Sequence, residues 1–196
     1  MNFAHCPGHG IMKGTALDRG CVHNGIIESV TTIGIARYIA RHVLDPMWNH
    51  VLLRNGDTGI GYSERAKIAK KESIDLVICH HINASSSPSS HGLIVFYSHD
   101  DIVGRDVAEM IERAAPYPLI RPGDDDDIAT SRGDWTRNAN WVMSHYRKHG
   151  IPTVLIEWGF STNIDDAKYL LNEKSRPAMA ACVMAGVARF IEVKGA

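Results

Sequence analysis

The chain has 196 residues, with 21 Lys and Arg against 22 Asp and Glu, for a formal net charge of −1. That balance excludes the basic excess expected of a nucleic-acid-binding surface. With 44% hydrophobic and 22% charged residues, the chain has the composition to bury a full core, read here as a single domain over 1–196. Eleven histidines direct attention to metal or acid–base chemistry.

In chain order, "MNFAHC" reads as a short strand that runs into the turn "CPGHG" (6–10). It has no charged segment followed by an apolar one. The expectation is therefore a protein made in the cytoplasm without a signal peptide. "IIESVTTIGIARYIARHVL" (26–44) has helical periodicity, with Asn24 and Gly25 as its cap region and Pro46 as its stop. "HVLLR" (50–54) is a strand, "NGDTGIG" a loop and "SERAKIAKKES" (63–73) a charged helix. "IDLVIC" (74–79) is a continuous apolar run, as in a parallel strand buried on both faces.

After the polar loop "INASSSPSSHG" come a strand "LIVFY" (93–97) and a helix near 101–114. The segment 115–134 is irregular, and its four consecutive aspartates lack calcium-loop spacing, so they read as a solvated loop. "WTRNANWVMSHYRKHG" (135–150) is a helix, "TVLIEW" (153–158) a buried strand, and 177–193 a final helix. Within the latter, "AMAACVMAGVA" (178–188) is too short to span a bilayer, so no membrane segment is expected. The alternation implies an α/β fold: a twisted, mostly parallel, doubly wound sheet with helices on both faces. The four cysteines, Cys6, Cys21, Cys79 and Cys182, form no C-x-x-C pair and read as free thiols; Cys6 and Cys21 are weak ligand candidates.

Ligands of such sheets bind beyond the carboxyl ends of the strands. His9, His80, His81 and Glu157 all stand at strand ends, and Glu28 stands in the first turn of the first helix. Two histidines and one carboxylate suffice for a catalytic zinc with one open position, and a second carboxylate can then serve as general base. No G-x-S-x-G elbow, P-loop or dinucleotide fingerprint competes with this reading.

These residues carry a resemblance. "CPGHG", "NGIIES", "CHHINAS" and "IEWGFSTN", with "LLRNGD" and "SERAKIAKKESIDLVI" between them, follow in order the motifs of the zinc-dependent N-acetylmuramoyl-L-alanine amidases, which open with a D-P-G-H-G turn. The resemblance covers nearly the whole chain. It implies zinc held by His9, Glu28 and His81, Glu157 as the catalytic carboxylate, and a groove shaped by Asn83 and Ala84. His80, one residue from His81, points to the other face of its strand. The implied reaction is hydrolysis of the amide between N-acetylmuramic acid and L-alanine in peptidoglycan. The alternatives are a related zinc peptidase or deacetylase, or a wall-binding module without catalysis.

The chain departs from the pattern at Cys6, which stands in place of the Asp that can orient the ligand histidine, so another group must take that role. An insertion-like "IMKGTALDRGCVH" (11–23) separates His9 from Glu28, and its His23 reads as a surface residue. Trp135, Trp141 and Trp158 are candidates for substrate capture, with burial in the core as the alternative. The expected setting is an endolysin-like monomer, released to act on the cell wall.

Overall fold

The computed structural model describes residues 1–13, 16–42, 47–56, 59–98, 100–116, 118–119 and 137–195. The four aspartates, Trp135 and Pro46 lie outside the described residues.

Strand β1 (Asn2–Pro7) carries the buried Phe3, Ala4 and Cys6 into the turn. Two small antiparallel hairpins follow where the sequence shows the insertion. One pairs β2 (Met12–Lys13) with β3 (Ala16–Leu17), and the other pairs β4 (Val22–His23) with β5 (Ile26–Ile27). Asn24 and Gly25 are not a helix cap. They are the two turn residues of the second hairpin, with φ of 48° and 82°, as a tight Asn-Gly turn requires. Helix α1 therefore starts later than its periodicity predicts and spans Glu28–Arg41.

Then come β6 (Asn49–Leu52), α2 (Tyr62–Lys71), β7 (Leu76–Asn83), β8 (Ile94–Tyr97), α3 (Ile102–Arg113) and α4 (Arg137–Arg147). The chain continues with β9 (Thr153–Phe160), α5 (Ile164–Leu171), a short 3-10 turn (Glu173–Ser175) and α6 (Arg176–Gly195). Helix α5 had no counterpart in the periodicity. Its signal is local: the Asn163 side chain accepts from the backbone N–H groups of Asp165 and Asp166 at 3.0 and 3.1 Å, a side-chain N-cap.

The main sheet has the order β6-β1-β7-β9-β8, parallel throughout except for β8, which runs antiparallel to β9 at one edge. Helices cover both faces. On one side α1, α3, α5 and α6 share a core with Phe3, Leu76, Ile78, Val154, Ile156 and Trp158. On the other, α2 and α4 pack over Ala4, Val77, Cys79 and Leu155. Both central strands extend further than their apolar runs suggest. β7 continues through His80 and His81 to Asn83, and β9 continues past Glu157 to Phe160. Among the described residues no helix is long and apolar enough to cross a membrane.

The winding fixes where a ligand sits. From β1 the chain crosses by α1 to β6 on one side of β1. From β6 it returns by α2, over the opposite face, to β7 on β1's other side. Strand order reverses between β1 and β7, and the crevice opens at their carboxyl ends. His9 leaves the end of β1, and His81 stands near the end of β7.

Candidate functional site

The turn "CPGHG" closes tightly over the end of β7. His9 itself has a left-handed backbone, φ 59°, and Gly10 follows at 67°. A Cβ on Gly8 would lie 2.6 Å from the His81 ring, so only glycine lets the turn pass that close. Two buried arginines hold the turn by its carbonyl oxygens. Arg54 donates to Gly8 O at 3.0 Å and to Ser29 O at 2.7 Å. Arg65 donates to Pro7 O and His9 O, each at 2.7 Å. Peptide oxygens buried at a sheet end need such donors. The sequence contained both arginines without any pattern to assign them this task.

The clamp sets His9 opposite Glu28. His9 Nε2 lies 3.2 Å from Glu28 Oε2, and His81 Nδ1 lies 3.1 Å from Glu28 Oε1. Glu28 also accepts the backbone N–H groups of Cys21 and Ile82, at 3.0 and 3.1 Å. Ligand atoms of His9, Glu28 and His81 all lie within 4.8 Å of one another. Burial disfavours the Glu28 charge, but hydrogen bonds from His81 and His9 hold its carboxyl well below the usual range. Burial likewise works against a charged His9, but the hydrogen bond and charge of Glu28, then of Asp18, outweigh it and raise His9 to about 9.

This donor set fits a divalent cation: two imidazole nitrogens and a buried carboxylate drawn together at one point. The second nitrogen of His9 strengthens the fit. Its Nδ1 lies 3.0 Å from Asp18 Oδ2, which fixes the ring so that Nε2 faces the other ligands. Asp18 thus takes the orienting role that the sequence left open at Cys6. Cys6 is buried beneath the turn, where its sulfur accepts from Tyr146 Oη at 3.0 Å and from Arg65 at 3.5 Å. Cys21 borders the cleft, where its Sγ–H donates to Ile82 O at 3.3 Å and burial raises its pKa to about 12, and it is not one of the clustered residues His9, Glu28 and His81. His23 is exposed.

Glu157 faces the same crevice. It pairs in register with His81 on the neighbouring strand, so the two side chains leave the same face of the sheet. It is the one position of β9 that is not fully buried. Its Oε2 is shut from solvent and has no hydrogen-bond partner among the described residues. Burial pushes Glu157 up to about 7, with His81 and His9 pulling against it and Glu28 reinforcing it.

The cleft holds roughly 530 Å³ and is bordered by all four predicted chemical residues, by Asn83 and Ala84, and by Asp18, Tyr62 and Trp141. Tyr62 was not predicted. Its hydroxyl accepts the His9 N–H at 3.1 Å and lies 3.3 Å from His81 Nε2, so it ties both histidines to α2. His80 points away, as strand alternation requires, and is fully buried. Trp158 is also fully buried, whereas Trp141 stands at the mouth of the cleft.

Comparison with known proteins places the chain in a family. Residues 6–189 match the model of the N-acetylmuramoyl-L-alanine amidase family. The chain belongs to that family. It is 28% identical to the N-acetylmuramoyl-L-alanine amidase LytC of Bacillus subtilis over 84% of this chain, but spans only 30% of that longer protein. It is 24% identical to the germination-specific N-acetylmuramoyl-L-alanine amidase of the same organism, over 96% of this chain and 79% of that one. An N-acetylmuramoyl-L-alanine amidase from Clostridium difficile 630 has the same fold, with a TM-score of 0.76 at 21% identity, covering 99% of this chain and 98% of that one. The catalytic domain of CwlV from Paenibacillus polymyxa superposes with a TM-score of 0.74 at 20% identity, covering 98% of both chains. The parallel sheet predicted from the sequence is therefore the fold of these amidases.

Proposed function

We propose that the protein is a zinc-dependent amidase that cleaves the bond between the lactyl group of N-acetylmuramic acid and L-alanine in peptidoglycan. One observation carries the reading: a His9–Glu28–His81 cluster, with Glu28 and His81 buried and His9 half-buried, sits beside a second carboxylate, Glu157, that has an oxygen unpartnered among the described residues and faces the same cleft. A structural ion cluster has no use for that second group. A hydrolase does.

Zinc held by His9, Glu28 and His81 would supply Lewis acidity to the amide carbonyl and to the attacking water. Glu157 takes the proton of that water and returns one to the departing L-alanine nitrogen. Burial raises the Glu157 carboxyl in the metal-free chain, and a cation at the cluster would draw it back towards the ionised form that accepts the proton. Asp18 and Tyr62 keep the two histidines in place, and the Arg54 and Arg65 clamp keeps the turn from relaxing away from β7. Asn83 and Ala84 shape the wall of the groove that takes the substrate. Production in the cytoplasm and action on the cell wall after release, as an endolysin acts, belong to the same proposal.

The test joins metal analysis to a wall digest. Purified protein carrying about one zinc per chain, and releasing stem peptides with new L-alanine amino termini, is the expected result. Zinc with cuts within the stem peptide would keep the site and change the bond to that of a peptidase. Released acetate would mean a deacetylase. Neither zinc nor products would leave a wall-binding module.

A further inference from the structure

The wall of the cleft next to His81 is aromatic and rigid. Tyr62, tied to His81 and the turn by its hydroxyl, meets Trp141 edge to face, with ring centroids 5.4 Å apart at 87°. On the far side, His145 packs against the same indole at 4.7 Å and 75°, and its Nδ1–H donates to Trp141 O at 2.8 Å. Held by these two rings, Trp141 still leaves 53% of its surface exposed, and it borders the cleft. Its helix neighbours Val142 and Met143 are buried, so α4 does not need this indole for its own packing. A large apolar ring that is both immobilised and uncovered at a cleft mouth is a ready contact surface for a ligand.

The chemistry of the cleft narrows the ligand. Ile11, Val142 and Leu155 line the cleft with the aromatic rings, Asn83 borders it as a neutral polar group, and no lysine or arginine is among its described lining residues. A stem peptide beyond L-alanine carries carboxylates and calls for cations. A pyranose offers an apolar C–H face and a rim of neutral hydroxyl and amide groups, which suits an indole and an asparagine. Position agrees as well. In the substrate of the proposed reaction, the scissile carbonyl hangs from the sugar by the short lactyl arm alone, so the pyranose must lie within a few ångströms of the metal centre. Trp141 is one ring removed from His81.

We infer that Trp141 is the stacking platform for the N-acetylmuramic acid ring and that it determines recognition of the sugar, as opposed to the peptide. This rests on the amidase reading. It makes Trp141 a specificity residue for the same site.

The experiment compares two substrates with the same scissile amide: N-acetylmuramoyl-tetrapeptide and lactoyl-tetrapeptide, which lacks the ring. Trp141→Ala is expected to raise KM for the first by about tenfold, several times more than for the second, with kcat little changed. Trp141→Phe should recover most of the difference. Zinc content and thermal midpoint of each variant, matched to wild type, separate recognition from misfolding. In parallel, the Trp141 indole N–H resonance is followed on titration with N-acetylmuramic acid, and it should shift. For an active enzyme the kinetic ratio decides: equal losses on both substrates, or no loss on either, overturn the platform while leaving the amidase intact. If wild type cleaves neither substrate, the amidase reading fails, and the indole resonance alone decides whether Trp141 binds the sugar.

Discussion

Two adjacent histidines on β7 have opposite fates. His81 faces the cleft, among the carboxylates of Glu28 and Glu157 and the hydroxyl of Tyr62. His80 faces the core and joins a row of imidazoles that crosses the sheet. Trp158 Nε1–H donates to His80 Nδ1 at 3.1 Å, His80 Nε2 meets His5 Nδ1 at 3.0 Å, and His5 Nε2 meets His50 Nδ1 at 2.8 Å. Because an indole can only donate, every tautomer in the row follows: each histidine is neutral, His80 and His5 pass their Nε2–H to the next ring, and the Nε2–H of His50 ends the row without a partner among the described residues. Burial, followed by the charge of His81, lowers His80 to about 3, and burial lowers His50 to about 4. On the cleft side the same residue type moves the other way, with His9 raised to about 9. Fold alone does not explain the contrast. A buried imidazole surrounded by imidazoles is held neutral, and one beside two carboxylates is held ready for a cation.

The contrast can be broken first at its carboxylates. Glu28→Ala removes the acidic ligand and leaves His9 and His81 without their common partner. Zinc should be lost during purification, and activity with it, as read by metal content after dialysis. Retention of one tightly held zinc would place the metal elsewhere. Glu157→Gln should keep zinc and lower kcat by about 10²–10⁴-fold, the usual range for a general base. Near wild-type turnover in the metal-loaded variant would remove Glu157 from the reaction.

Asp18→Ala should weaken zinc binding by about 10–100-fold, measured by competition with a chromogenic chelator, because His9 then loses the group that fixes its ring. An unchanged affinity would mean the turn alone orients His9.

The core row offers the opposite variant. His5→Phe leaves His80 Nε2–H without an acceptor and His50 Nδ1 without a donor. At about 1–3 kcal/mol for each such buried group, the loss should appear in denaturant unfolding. Zinc affinity should stay within about twofold, which separates a structural histidine from a ligand.

The smallest effect is in pH. A histidine whose folded pKa is depressed contributes stability that is present above about 6.5 and lost as pH falls towards the folded value. The difference in stability between wild type and His50→Phe should therefore shrink between about pH 6.5 and 4. His9 has the reverse sign. In zinc-free protein its contribution is complete below about 6.5 and lost as pH rises to about 9, and zinc binding should strengthen over the same window, because the metal must displace the proton. A zinc affinity flat from pH 6.5 to 9 would contradict the Glu28–Asp18 environment of His9.

Much of this was legible in the sequence, and the reason is local. "IDLVIC" and "TVLIEW" are apolar runs because their strands are buried on both faces, and polar groups at their ends therefore stand out. The turn "CPGHG" shows its constraint in its glycines. Alternation along a strand was enough to send His80 and His81 to different faces. The ordered motifs then assigned His9, Glu28, His81 and Glu157, and all four border one cleft.

The tertiary structure decided what depends on groups distant in sequence. Nothing in the spacing of Asp18 marks it as the partner of His9. Both lie in a segment whose hairpins have two-residue strands, too short to show any period. Arg54 and Arg65 stand within the matched stretches "LLRNGD" and "SERAKIAKKES", but their task shows only when the turn they clamp is seen to bury three carbonyls. Trp141 and Trp158 are the same letter, and only packing makes one a core donor to His80 and leaves the other uncovered at the cleft that His9, Glu28 and His81 border. Sequence determines which side chains are available and which face of an element they take. Their protonation, orientation and exposure are set by neighbours that only the folded chain brings within hydrogen-bonding distance.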